Sequence, residues 1–77
     1  MTVSMTEMTT LIARQLGTRR VKPEHLLVED LGAESVDLVS ILAMINDKYQ
    51  TSIDETDLLD VRTVTDLYEM TRRQLAL

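Results

Sequence analysis

Leu31-Gly32-Ala33-Glu34-Ser35-Val36-Asp37-Leu38 decides how this chain is read, because it tightens at a glycine and then delivers one serine to the start of an apolar-periodic segment. From Leu38 onward, Leu38, Leu42, Ile45 and Tyr49 recur at helical spacing, so a helix runs from Ser35 to about Gln50. Ser35 therefore stands where backbone N–H groups lack intrahelical acceptors. A phosphate ester held at that point would meet those donors and the positive end of the helix dipole. Gly32, without a side chain, leaves room for a second protein to come close to the backbone. Taken alone, a serine at such a position is more simply an N-cap.

Upstream, Ser4-x-x-Glu7 has the form of a capping box, which predicts a helix from about Met5 to Leu16 that ends at Gly17. Met5, Met8, Ile12 and Leu16 line one face of it, and methionines at that spacing read as adaptable core filler rather than a soft-metal stripe. The connection from Thr18 to Glu34 is long for a 77-residue chain. Its apolar residues Val21, Leu26, Leu27, Val28 and Leu31 should tie it over the helices, and Pro23 stops it from continuing as helix. Downstream, Thr51 to Leu59 reads as a polar turn followed by a short stretch of one or two helical turns, with Leu58 and Leu59 facing inward. Thr63-x-x-Asp66 then starts a last helix with the face Val64, Leu67, Tyr68, Thr71 and Leu75 and with Arg72 and Arg73 near its negative end. The fold class that follows is all-α: a small bundle of three principal helices plus one short helix, with a long first loop, in a single domain over residues 1–77.

Composition narrows the function. A chain of 77 residues buries only about 60% of its unfolded surface, too little to enclose a large active site. The absence of cysteine removes disulfides, thiol nucleophiles and cysteine-based metal clusters. Neither a membrane span nor a secretory signal is present in the sequence, so the expected location is cytoplasmic. Net charge is −5, unevenly distributed. From Val28 to Asp60 there are nine acids against Lys48 alone, a net −8, while the remainder carries four acids against seven bases, a net +3. Such segregation repels nucleic acid and steers a basic protein surface toward the serine.

Candidate chemistry elsewhere is thin. His25 is the only histidine, without a second ligand or an orienting partner, and reads as a plain loop residue. Arg19, Arg20 and Lys22 lack the interleaved aromatics of a nucleic-acid surface. Asp54, Asp57 and Asp60 lack the ligand alternation and glycine of a calcium loop, so capping and solubility explain them, and no metal site is expected. No nucleophile pairs with a base, so there are no catalytic residues and an enzyme is the least favoured class.

With its serine placement, short length and acidic balance, the chain from about Val28 to Leu75 resembles the acyl carrier protein family. That family's motif is Asp-Ser-Leu preceded by Leu-Gly-Ala or Leu-Gly-Gly, and here it reads Leu31-Gly32-Ala33 followed by Glu34-Ser35-Val36. Glu34 and Val36 keep the charge and the apolar character of the motif. The resemblance implies that Ser35 receives 4′-phosphopantetheine from coenzyme A, through a phosphopantetheinyl transferase, and carries acyl groups as thioesters on the arm. It also assigns partner recognition to Glu34, Val36, Asp37, Met44 and Asp47. The implied partners are acyl-transferring and ketosynthase-type enzymes with basic docking patches, met by a monomer. Ser40 and Asn46 stand where fatty-acid carriers commonly have glutamates, which favours a dedicated pathway over general fatty acid synthesis. A peptidyl or aminoacyl carrier is the nearer rival, although Ala33 and the acidic segment lean to the acyl side. A helical interaction module in which Ser35 is only a cap is the farther one. Met1 and the capping signal of the first helix favour a freestanding chain over an excised module.

Overall fold

Each of the three long helices begins at a residue whose backbone is still extended, and side chains just inside the helix hold that residue in place. In the computed structural model, which describes residues 1–76, these are α1 (Met5–Leu16), α2 (Ser35–Tyr49) and α3 (Val64–Leu75), with a short 3-10 helix (Glu55–Asp60) between the last two. The last residue of the expected single domain, Leu77, lies outside the described residues. At α1 the box is complete: Glu7 N–H donates to Ser4 Oγ at 3.0 Å and Ser4 N–H to Glu7 Oε1 at 2.9 Å. At α3, Asp66 Oδ2 accepts from the N–H groups of Arg62 and Thr63 at 3.0 and 3.1 Å, while Asp66 N–H donates to Thr63 Oγ1. Those backbone donors hold the Asp66 carboxyl below the usual carboxylate range. Gly17 closes α1 in the left-handed conformation, at φ 67°.

The core is the shared interior of the three helices. Met8, Leu11 and Ile12 of α1 meet Ile41, Leu42, Ile45 and Tyr49 of α2 and Val64 and Leu67 of α3, with Val3, Leu27, Ala33 and Ile53 sealing the ends. Full burial of each large aliphatic side chain contributes about 1.5–3 kcal/mol. An ion pair of 3.9 Å between Glu7 and Lys48 brings the start of α1 alongside the end of α2.

The long loop is ordered by stitches to α3. Leu27 N–H donates to the Arg62 carbonyl at 2.9 Å, Val64 N–H to His25 and Thr65 N–H to Pro23, which makes an isolated antiparallel bridge between Leu26 and Thr63. His25 Nδ1 accepts from Lys22 N–H at 3.0 Å, so the histidine shapes its own turn.

Three expectations about burial require correction. Leu59 does not face inward: it is 83% exposed, and only Leu58 packs on the core. Six residues wound as a 3-10 helix have three per turn, so two adjacent leucines cannot share one face. Val28 is exposed as well, because the turn from Leu26 to Gly32 points it away while Leu27 fills the core. Ile41, omitted from the expected inward face of α2, is fully buried.

Asn46 explains why the chain turns where it does after α2. Its Oδ1 accepts from Thr51 Oγ1 at 2.8 Å and from Ile53 N–H at 3.0 Å, and its Nδ2 donates to the Ile53 carbonyl at 3.0 Å. Asn46→Ala should therefore cost about 1–3 kcal/mol in a urea melt, and Asn46→Asp should recover only part of it because the donor to Ile53 is gone.

Tyr49 is a contrasting case. Its ring is buried, Lys48 Nζ lies 5.5 Å from the ring centroid, and its hydroxyl has no hydrogen-bond partner among the described residues. Burial, reinforced by the charge of Glu7, raises the phenol above its usual value of 10. A raised phenol favours the folded state fully below the unfolded value and loses that contribution as pH climbs through the folded one. Tyr49→Phe should thus leave stability at pH 7 unchanged or raise it by up to about 1 kcal/mol, and should flatten the decline above pH 10 in thermal melts.

Candidate functional site

The loop reaches α2 through a sequence of tight bonds that leave little freedom at its end. Gly32 N–H donates to the Val28 carbonyl at 3.0 Å and Ala33 N–H to the Leu27 carbonyl at 2.9 Å. Gly32 adopts φ 70°, and a Cβ built there would meet nothing within 4 Å. The glycine therefore serves the left-handed backbone of the turn, in open surroundings. Ala33 then buries its methyl group, and the chain emerges at Glu34.

Ser35 is not the N-cap of α2. That position belongs to Glu34, with φ −96° and ψ 170°, whose N–H donates to Asp37 Oδ2 at 2.9 Å and whose carbonyl accepts the Leu38 N–H at 3.0 Å. Ser35 is the first helical residue, exposed, and its hydroxyl makes no hydrogen bond to the described residues. The N–H groups of Ser35 and Val36 also have no acceptor among the described residues. A hydroxyl free to be esterified thus stands beside unpaired donors at the positive end of a 15-residue helix, and a phosphate diester fits that donor set.

The positions expected to meet partners differ in exposure. Glu34 and Val36 flank Ser35, both exposed, with Val36 at 65%. Asp37 is half-buried and its carboxylate is committed to the Glu34 N–H. Met44 is half-buried against the core, and with Asp47 it borders a cleft of about 440 Å³ shared with Thr6, Thr10 and Arg14 of α1. Val39 and Ala43 are exposed beside Val36, and together these three make an apolar stripe. One and two turns beyond Ser35, Val39 and Ala43 also border a cleft of about 400 Å³ whose far wall is Ser52, Ile53, Asp54 and Glu55. Their lack of a place on the inward face of α2 was the sequence signal for that stripe.

Three linked helices that present one unengaged serine at a helix head are an arrangement suited to carrying a covalently attached group. The chain belongs to the family described as the phosphopantetheine attachment site, whose model matches residues 6–71, and its relatives are acyl carrier proteins. The acyl carrier protein of Syntrophobacter fumaroxidans is 34% identical over 61 residues, spanning 77% of this chain and 75% of that one. Among solved structures, 3-oxo-butyl-ACP, an intermediate mimic from the actinorhodin polyketide synthase in Streptomyces coelicolor, superposes with a TM-score of 0.80 at 20% identity, covering 99% of this chain and 94% of that one. A chain in the structure described as the ishigamide ketosynthase/chain length factor gives 0.76 at 22% identity, over 95% and 94%. This protein is accordingly an acyl carrier with 4′-phosphopantetheine as its prosthetic group. Among the described residues, no helix is long and apolar enough to cross a membrane.

Proposed function

We propose that Ser35 is the attachment point of the arm, and that residues 1–77 act as one cytoplasmic, monomeric carrier domain in fatty acid, polyketide or related biosynthesis. The observation that supports this reading is the exposed Ser35 hydroxyl, left without a partner because Glu34 serves as the cap. A transferase would direct Ser35 Oγ at the phosphorus on the pantetheine side of coenzyme A. The new Oγ–P bond replaces the pyrophosphate P–O bond, adenosine 3′,5′-bisphosphate leaves, and the hydroxyl proton passes to a base of the transferase. Once attached, the arm supplies a terminal thiol on which acyl groups ride as thioesters. The chain's own part is to hold the phosphate at the head of α2 and to restrict where the arm begins.

Catalysis belongs to the partners, of the acyl-transferring and ketosynthase type. The likeness in fold to a chain in the structure described as the ishigamide ketosynthase/chain length factor supports that class. Ala33 speaks for acyl over aminoacyl cargo, since its methyl group is buried where peptidyl carriers more often have a second glycine.

The deciding experiment is intact-mass measurement after incubation with coenzyme A, magnesium and a broad-specificity phosphopantetheinyl transferase, followed by peptide mapping. The expected result is gain of one phosphopantetheine, located on Ser35. Failure with several transferases that load a control carrier would instead support a noncovalent interaction module.

A further inference from the structure

We infer that His25 is a positioning residue for Ser35: its neutral imidazole closes the turn from which the serine's loop hangs, and a proton on that ring slows attachment of the arm. The inference deepens the carrier reading and rests on it.

The turn is Lys22-Pro23-Glu24-His25, with proline in the second place that such turns favour. Two bonds close it. His25 N–H donates to the Lys22 carbonyl at 3.1 Å, and Lys22 N–H donates to His25 Nδ1 at 3.0 Å. A ring nitrogen that accepts from a backbone N–H carries no proton of its own, so this imidazole is neutral with its hydrogen on Nε2. A proton added to Nδ1 sets one N–H against another and removes the bond.

The heads of α3 and α2 both depend on that turn. Val64 and Thr65 lie in the first turn of α3, where N–H groups lack intrahelical acceptors, and the carbonyls of His25 and Pro23 accept from them at 3.1 and 3.0 Å. The Pro23 carbonyl also accepts from Thr65 Oγ1 at 2.8 Å. Two residues after His25, the N–H of Leu27 is held by the Arg62 carbonyl, and its own carbonyl holds the N–H of Ala33, the residue before the cap of α2. Loosening at the imidazole thus reaches Ser35 along bonded backbone.

The ring is half-buried, and no carboxylate forms an ion pair with it among the described residues. Charged groups of its own loop are Lys22, Glu24 and Asp30, and those at the head of α3 are Arg62 and Asp66. Asp30 already accepts from Leu26 N–H, and Asp66 from the N–H groups of Arg62 and Thr63. Glu24 is the carboxylate of this set that makes no side-chain hydrogen bond, and it is exposed. Histidine is the side chain whose charge ordinarily changes near neutral pH, so the turn carries a group that solution conditions can switch.

The test compares the parent with His25→Asn and His25→Leu, because Asn Oδ1 stands one bond from Cγ as Nδ1 does and accepts without taking up a proton. In the unmodified parent, the NMR shift of the Lys22 amide should follow the titration of the imidazole, and exchange of the Val64 and Thr65 amides should quicken as the ring is protonated. For Ser35 modification by a purified broad-specificity transferase with coenzyme A and magnesium, the kcat/KM ratio of parent to His25→Asn cancels the enzyme's own pH dependence. That ratio should stay near one at about pH 8 and fall at least about threefold at about pH 5.5. His25→Leu, with its fold checked by circular dichroism, should load more slowly than His25→Asn by a factor that does not change with pH. A parent-to-Asn ratio independent of pH, or His25→Asn as slow as His25→Leu at the higher pH, overturns the inference. A Lys22 amide unmoved through the titration overturns it without reference to loading. Absence of modification in the parent removes the carrier reading, and is seen before any variant is compared.

Discussion

Ser35→Ala should abolish gain of phosphopantetheine completely while moving the urea midpoint by the equivalent of less than about 0.5 kcal/mol. The two halves of that expectation come from different atoms. Loss of loading follows from removal of the only oxygen at the head of α2 able to form the phosphoester, and no neighbouring hydroxyl replaces it, since Ser40 lies more than a turn along the helix and is half-buried. Retention of stability follows because the cap bonds run through Glu34 and Asp37, leaving the serine hydroxyl outside them. Had Ser35 been the N-cap, the same substitution would have cost about 0.5–2 kcal/mol. A combined measurement of mass and unfolding therefore separates attachment from capping in one variant. A large stability loss would show that the hydroxyl does structural work, and any residual loading would place the arm elsewhere.

Leu27→Ala should have the largest effect on folding of any single change in the loop. The side chain is 2% exposed, and its backbone joins the loop in two directions, with N–H to the Arg62 carbonyl and carbonyl to the Ala33 N–H. Truncation of a buried leucine costs about 2–5 kcal/mol, against a total of about 4–12 kcal/mol for a domain of this size. The variant should melt far earlier than the parent in circular dichroism. Below its melting point it should also be loaded more slowly, because the bonds that fix Ala33 and Glu34 no longer sit on a packed side chain. An unchanged melting temperature would mean that the loop is not part of the cooperative unit.

Most of the architecture was legible because this chain marks its helix ends with local chemistry. Ser4 with Glu7, Gly17, and Thr63 with Asp66 each act within a few residues, and the helices begin and end where those signals stand. Ser35 was legible by its position but not by its bonding. Only the dihedrals of Glu34 distinguish a cap from a first helical residue, and the sequence offers a glutamate as readily as a serine for that place. The inward face of α2 was blurred because apolar residues occupy most of its circumference: Ile41 and Val39 lie on nearly opposite sides of the helix, and the apolar pattern alone does not say which side is buried. The roles of Leu59 and Asn46 depend on the pitch of the short helix and on a bond across seven residues, neither of which is written in local periodicity. Three of the nine acids between Val28 and Asp60 turn out to hold backbone N–H groups: Asp30 at Leu26, Asp37 at Glu34 and Asp57 at Asp54. Charge counting alone cannot tell a docking carboxylate from a capping one.

The antiparallel bridge between Leu26 and Thr63 gives the protein an order of events during synthesis. Ser35 leaves the ribosome well before Thr63, so a growing chain exposes the serine at a time when the segment that anchors its loop does not yet exist. The head of α2 acquires its final shape only after the start of α3 arrives to hold Leu26 and Leu27. A modifying enzyme that reads this shape, and not the serine alone, passes over nascent and truncated chains and spends coenzyme A on finished ones.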